Sequence, residues 1–151
     1  MTSDSQPLSR PALMGLLARA EPAELSGPLA RHWPHLDVKD LRRPEIGLVM
    51  LRGRIGGDGA PFNVGEATMT RAVVEISGGS RGFGQVLGRK PELARMAAII
   101  DAVAQRPADH QLVTQDILVP IARRLAAEKT RTAAETAATK VDFFTLVRGE
   151  D

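Results

Sequence analysis

Two of the chain's three histidines, His32 and His35, share a short segment, and they come nearest to a metal-ligand pattern. Trp33-Pro34 lies between them, no carboxylate stands at the spacing of a zinc helix motif, and His110 is far along the chain. A zinc site needs at least three protein ligands, so the pair reads as surface or cap histidines. Serine is no better placed. There is no Gly-x-Ser-x-Gly elbow, and Ser77 and Ser80 sit among turn residues, which leaves no nucleophile with a base and an orienting partner.

The glycines raise the question of phosphate binding. Gly82-Phe83-Gly84-Gln85-Val86-Leu87-Gly88 precedes a helix pattern, where a phosphate turn belongs, but its spacing is G-x-G-x-x-x-G and no Gly-Lys-Ser/Thr follows. Glycines alternating within a strand instead admit a close neighbouring backbone. The loop around Gly53, Gly56 and Gly59 is a turn, although its amides together with Arg52 and Arg54 have the chemistry to cradle a phosphate. Arg71, Glu66 and Asp101 form a third polar set. Arg71 lies on a half-buried strand and should find a carboxylate or a phosphate, with Glu66 or Asp101 as internal partner; Asp101 itself is expected to face solvent.

Composition narrows the classes. With no cysteine, disulfides, thiolate metal sites, iron-sulfur clusters and cysteine nucleophiles are all excluded, and no cofactor is expected. A net charge of +2 and only five aromatic residues, four Phe and one Trp, make a poor nucleic-acid surface. Sixteen of the twenty cationic residues are arginine, which ordinarily solvate a surface or pair with carboxylates there. The apolar run of residues 13–18 is too short for a signal sequence, and no segment approaches the ~20 apolar residues of a membrane span. A cytoplasmic protein with no membrane contact is the expectation.

The elements that must position these residues follow from period and punctuation. Length, with 43% hydrophobic and 25% charged residues, fits one domain with its own core. Ser9 as N-cap, Pro11, and Leu13, Leu16 and Leu17 predict a short helix. A second runs from Glu21-Pro22 to about Pro34, kinked or divided at Gly27-Pro28. Residues 46–55 alternate as a strand, Val49, Leu51 and Ile55 against Leu48, Met50, Arg52 and Arg54, and a glycine-rich turn closes at Pro61. Residues 68–76 form the next strand and residues 82–87 a third, separated by Gly78-Gly79-Ser80. A helix opens at Pro91-Glu92 with Leu93, Met96, Ala97, Ile100, Val103 and Ala104 on one face; residues 109–119 have no clear periodicity. Pro120 then opens a long helix to about Lys140, poor in apolar area, which tertiary contact must hold. The class is α+β: a three- to four-stranded antiparallel meander packed with helices, then a long C-terminal helix and an extended tail. Residues 1–8 are expected to be disordered, residues 9–140 to form the domain, and residues 141–151 to be an extended docking tail.

Several segments resemble a known family. Glu45-Ile46-Gly47-Leu48-Val49-Met50, the block from Gly56-Gly57-Asp58-Gly59-Ala60-Pro61 through Gly65-Glu66-Ala67-Thr68-Met69-Thr70-Arg71, Gly88-Arg89, and Ile100-Asp101-Ala102 are similar to PhnG, a subunit of the bacterial carbon-phosphorus lyase machinery. The ending Lys140-Val141-Asp142-Phe143-Phe144-Thr145-Leu146-Val147-Arg148-Gly149 is the most specific part of the likeness, which covers nearly the whole chain from about Met14. The resemblance implies an accessory, non-catalytic subunit acting with PhnH, PhnI and PhnJ. Their complex attaches a phosphonate to the ribose C1 of ATP and releases adenine, with PhnI as the nucleosidase-like subunit. The family often has His-Ala-Glu where this chain has Leu93-Ala94-Arg95, so no role of that histidine or glutamate carries over. Phe143, Phe144 and Arg148 are the expected partner-docking residues. Extended neighbours point to opposite faces, so one of the two rings needs a cover from outside its own domain unless the tail folds back across the chain's own sheet between two layers.

Overall fold

The computed structural model describes residues 8–56 and 58–138. Two short helices, α1 (Arg10–Leu17) and α2 (Pro22–His32), precede three strands, β1 (Val38–Gly53), β2 (Phe62–Ile76) and β3 (Arg81–Leu87). Then come α3 (Pro91–Ala104), α4 (Pro107–Val113), a five-residue π-helical segment (Thr114–Leu118) and α5 (Val119–Ala138). The strands make an antiparallel meander in the order β1-β2-β3. Three strands is thus the number among the described residues, within an α+β architecture as expected.

The core forms where α3 lies on one sheet face. Thr70, Ala72, Val74 and Ile76 of β2 and Gly82, Gly84 and Val86 of β3 are buried, alternating with half-buried or exposed neighbours. The two alternate glycines explain how close α3 comes: a Cβ at Gly82 would stand 1.8 Å from the Ala98 carbonyl oxygen, and one at Gly84 1.9 Å from that of Ala94. Only hydrogen fits there, as expected from their spacing. Alanines at 94, 97, 98 and 102 supply the matching shallow face, and nearly every α3 side chain from Ala97 onward is buried. Thr70 closes the β3–α3 turn, its hydroxyl donating to the Gly88 carbonyl at 2.6 Å and accepting from the Lys90 amide at 3.0 Å.

Helix α2 runs as one helix through Gly27-Pro28, so of the two alternatives it is not divided there. Its start is held by a reciprocal capping box between Glu21 and Glu24. Ser9 does occupy the N-cap position of α1, but without a side-chain hydrogen bond. Both hairpin strands begin earlier than their apolar alternation: β1 at Val38 rather than 46, and β2 at Phe62 rather than 68. Lys39, Asp40, Arg42, Arg43 and Pro44 hide the first half of β1, and two register shifts, between Asp40 and Arg42 and between Arg42 and Glu45, break its period. Ile55 falls beyond the strand end, 75% exposed. Residues 109–119 are helical: α4, the π segment and the first residue of α5. They bury Val113, Ile117 and Leu118. Helix α5 is anchored by buried Ile121 and half-buried Leu125; from Ala126 to Ala138 every residue but Glu128 is exposed. Among the described residues, tertiary contact therefore holds only its first half. No described helix is long and apolar enough to cross a membrane.

Candidate functional site

The polar residues singled out above do not converge. Arg71 is exposed on the sheet face away from α3, with Glu45 and Gln85 as its cross-strand neighbours. Glu66 is five residues away on the same strand, an odd number, so alternation sends it to the opposite face. Asp101 is taken: it is 1% exposed rather than solvent-facing, and its carboxylate accepts from Arg10 Nε at 3.0 Å, Arg10 Nη2 at 2.7 Å and the Phe83 amide at 2.9 Å. The bidentate pair raises the Arg10 guanidinium above its ordinary pKa, the hydrogen bond to Asp101 being the larger cause, and the guanidinium also stacks 5.5 Å from the Phe83 ring centre. Sequence reasoning did not find Arg10, because its partner lies 91 residues on.

Arg52 and Arg54 stand exposed near the tip of the β1–β2 hairpin. The Asp58 amide donates to the Gly56 carbonyl at 2.9 Å and the Gly59 amide to Ile55 at 3.2 Å, so those two donors are committed inside the loop. His32 pairs with Asp116 at 2.8 Å, and His110 Nδ1 lies 3.2 Å from the Ala104 carbonyl. Among the described residues no group of three or more His, Asp or Glu is placed to hold a metal ion. Arg124 makes the i,i+4 pair with Glu128 that its spacing allows, at 2.9 Å, and also ties α5 to α2 by contacts that local spacing does not show, reaching Glu24 at 2.8 and 2.9 Å and the Arg19 carbonyl at 2.8 Å. The hydrogen bond from Arg124 holds the Glu24 carboxyl below its usual range, against the opposing effect of burial. A pocket of about 270 Å³ opens between α1 and β3, lined by Met14, Ala18, Met69, Phe83 and Leu87 among others, and is largely apolar.

What the structure does bring together is apolar surface on a projection. Strand β3 pairs with β2 only from Met69 to Glu75, so residues 48–53 and 62–68 extend past it as a two-stranded arm with Ile46 at its base. Register sorts the arm's side chains onto both faces. Ile46, Leu48 and Met50 lie on the face that α3 covers further down, and Val49 and Leu51 on the other with Ala67 and Met69. Ile46, Leu48, Met50, Leu51, Phe62 and Val64 are each between 42% and 62% exposed. An isolated two-stranded hairpin is marginal in water, and exposed apolar side chains on both its faces mark a surface made for contact. The predicted docking residues Phe143, Phe144 and Arg148 lie outside the described residues.

Comparison with known proteins gives this surface a context. Residues 8–149 match the family described as phosphonate metabolism protein PhnG. The chain is 54% identical over 142 residues to a Rhizobium meliloti (strain 1021) protein named alpha-D-ribose 1-methylphosphonate 5-triphosphate synthase subunit PhnG, covering 91% of this chain and 88% of the relative. The chain belongs to the PhnG family.

Proposed function

We propose that this chain is an accessory subunit of an alpha-D-ribose 1-methylphosphonate 5-triphosphate synthase, one that organises the complex rather than supplying its reacting groups. In this reading it acts with PhnH, PhnI and PhnJ in transferring a phosphonate to the ribose C1 of ATP with release of adenine. The observation that carries the reading is the arm: six large apolar side chains on two faces of a projecting hairpin. Burying each fully would contribute roughly 1.5 to 3 kcal/mol, enough for a stable subunit contact after the costs of association are met. The family likeness extends to residue 149 and so includes the segment of Phe143, Phe144 and Arg148, which serves here as a second docking element. Arg71, Arg52 and Arg54 are all exposed, and in this reading they are the cations that meet an anionic substrate or a partner's carboxylates.

The test is reconstitution. Adenine release from ATP and methylphosphonate is measured with the other subunits alone, with this chain added, with this chain by itself, and with its Phe62→Ser/Val64→Ser variant. The chain by itself should release none, and omission should lower the rate at least about tenfold, equivalent to ~1.4 kcal/mol of barrier. The variant should melt like the parent yet fail to co-purify with the other subunits. Undiminished release without this chain would overturn the reading.

A further inference from the structure

Strand edges identify one surface more closely than side-chain exposure does. On the free side of β3, the Phe83 amide donates to Asp101 and the Arg81 carbonyl accepts from Gln105 Nε2 at 2.7 Å and Arg10 Nη2 at 3.3 Å. Side chains thus stand where a fourth strand would pair, and α1 lies alongside the rest of that edge. The outer edge of β1 is protected over its first half by Lys39, Arg42, Arg43, Pro44 and two bulges. Among the described residues nothing protects its second half. From Glu45 to Leu51 the ladder to β2 is regular, Glu45 is the one charged residue, and all but Val49 are exposed. A flat apolar edge of this kind, with alternate amides and carbonyls unpaired, is the surface proteins ordinarily avoid leaving open.

We infer that this run pairs with the same run of a second copy, antiparallel about a two-fold axis at Leu48, to make a continuous six-stranded sheet. The run is symmetric about that residue. Register shifts bound it on both sides, between Arg42 and Glu45 and between Leu51 and Arg52, and Leu48 is its midpoint. A two-fold contact must be self-complementary, and this one is. Leu48 meets Leu48, Ile46 meets Met50, and Gly47 meets Val49, which keeps bulky residues on one face and gives the other a glycine with nothing within 4 Å of its absent Cβ. Glu45 meets Leu51 and not another Glu45, and the next residue beyond that Leu51 is Arg52 of the second copy. Like charges never face each other within the run. Pairing would use the hydrogen-bonding edge of the arm, which leaves its two faces for other subunits, so the inference stands independently of the synthase reading.

The experiment uses the purified full-length chain without other subunits. Sedimentation should give about twice the 16.2 kDa protomer mass, with Leu48→Lys monomeric and melting at the parental temperature. Because the chain has no cysteine, single cysteines report register directly. Leu48→Cys should cross-link into dimers under mild oxidation. Ile46→Cys and Met50→Cys alone should do so at least about tenfold more slowly, and the double variant Ile46→Cys/Met50→Cys should restore the rate, since directly opposed Cβ atoms lie roughly 4.5 to 5.5 Å apart. A parent that stays monomeric at roughly 100 μM, where even weak specific pairs form, would overturn the inference. Cross-linking that peaks at another position would overturn it too.

Discussion

Asp101 shows at the scale of one residue how a polar group can look functional in sequence and be structural in the fold. Its neighbours Ile100 and Ala102 are apolar, and helical periodicity alone would turn it to water. The decisive fact is that α3 presses so closely on β3, through Gly82 and Gly84, that the carboxylate reaches the Phe83 amide at 2.9 Å. Arg10 then neutralises it from a helix 91 residues earlier in the chain. Nothing local in the sequence encodes that meeting, which is why Arg71 looked like the natural partner and is instead exposed on the other face. Asp101→Ala should cost about 1 to 3 kcal/mol, because it leaves a buried amide without an acceptor. That corresponds to a fall in melting temperature of roughly 3 to 10 °C for a chain of this size. Asp101→Asn keeps an acceptor for Phe83 and should lose less. A calorimetric scan in which the alanine variant melts with the parent would show that the contact contributes nothing.

Among the elements, those read correctly from sequence are the ones whose period and punctuation agree. The helix opened by Pro91-Glu92 and the strands at 68–76 and 82–87 have a clean apolar face bounded by proline or glycine, and the structure has them. The beginnings of β1 and β2 were hidden for two physical reasons: charged residues and register shifts break the period of β1, and the start of β2 lies in the arm with no core to face, so no alternation marks it. Residues 109–119 carry no assignment from sequence, since only Val113, Ile117 and Leu118 of the eleven are buried, too few to mark a face. The alternate glycines of β3 were readable as close-approach positions, and this can be tested against a glycine in the same sheet. Gly84→Ala would set a methyl 1.9 Å from the Ala94 carbonyl oxygen, backbone that can yield only by moving α3, and should destabilise by roughly 1 to 3 kcal/mol. Gly65→Ala, with nothing within 4 Å, should be close to neutral in the same denaturant titration. Equal midpoints for the two variants would mean that α3 is not seated by those glycines.

For the whole molecule, the distribution of exposed apolar surface counts for more than any single side chain. The body formed by α1–α4 and the sheet buries its own core, while the arm and the second half of α5 leave it. Thirteen helical residues, Ala126 to Ala138, all exposed but half-buried Glu128, carry the chain about 20 Å along the helix axis at 1.5 Å per residue. The tail that follows contains two of the four phenylalanines, adjacent at 143 and 144. A protein that needed those rings for its own core would have little reason to set a long polar helix between them and the core. Removing residues 141–151 should therefore leave the melting temperature within about 2 °C of the parent, a change under roughly 1 kcal/mol. It should also abolish recovery of the other subunits on an affinity-tagged copy of this chain. A large drop in melting temperature would instead assign the tail to its own domain. Full recovery of the complex on the shortened chain would leave the arm alone to account for assembly.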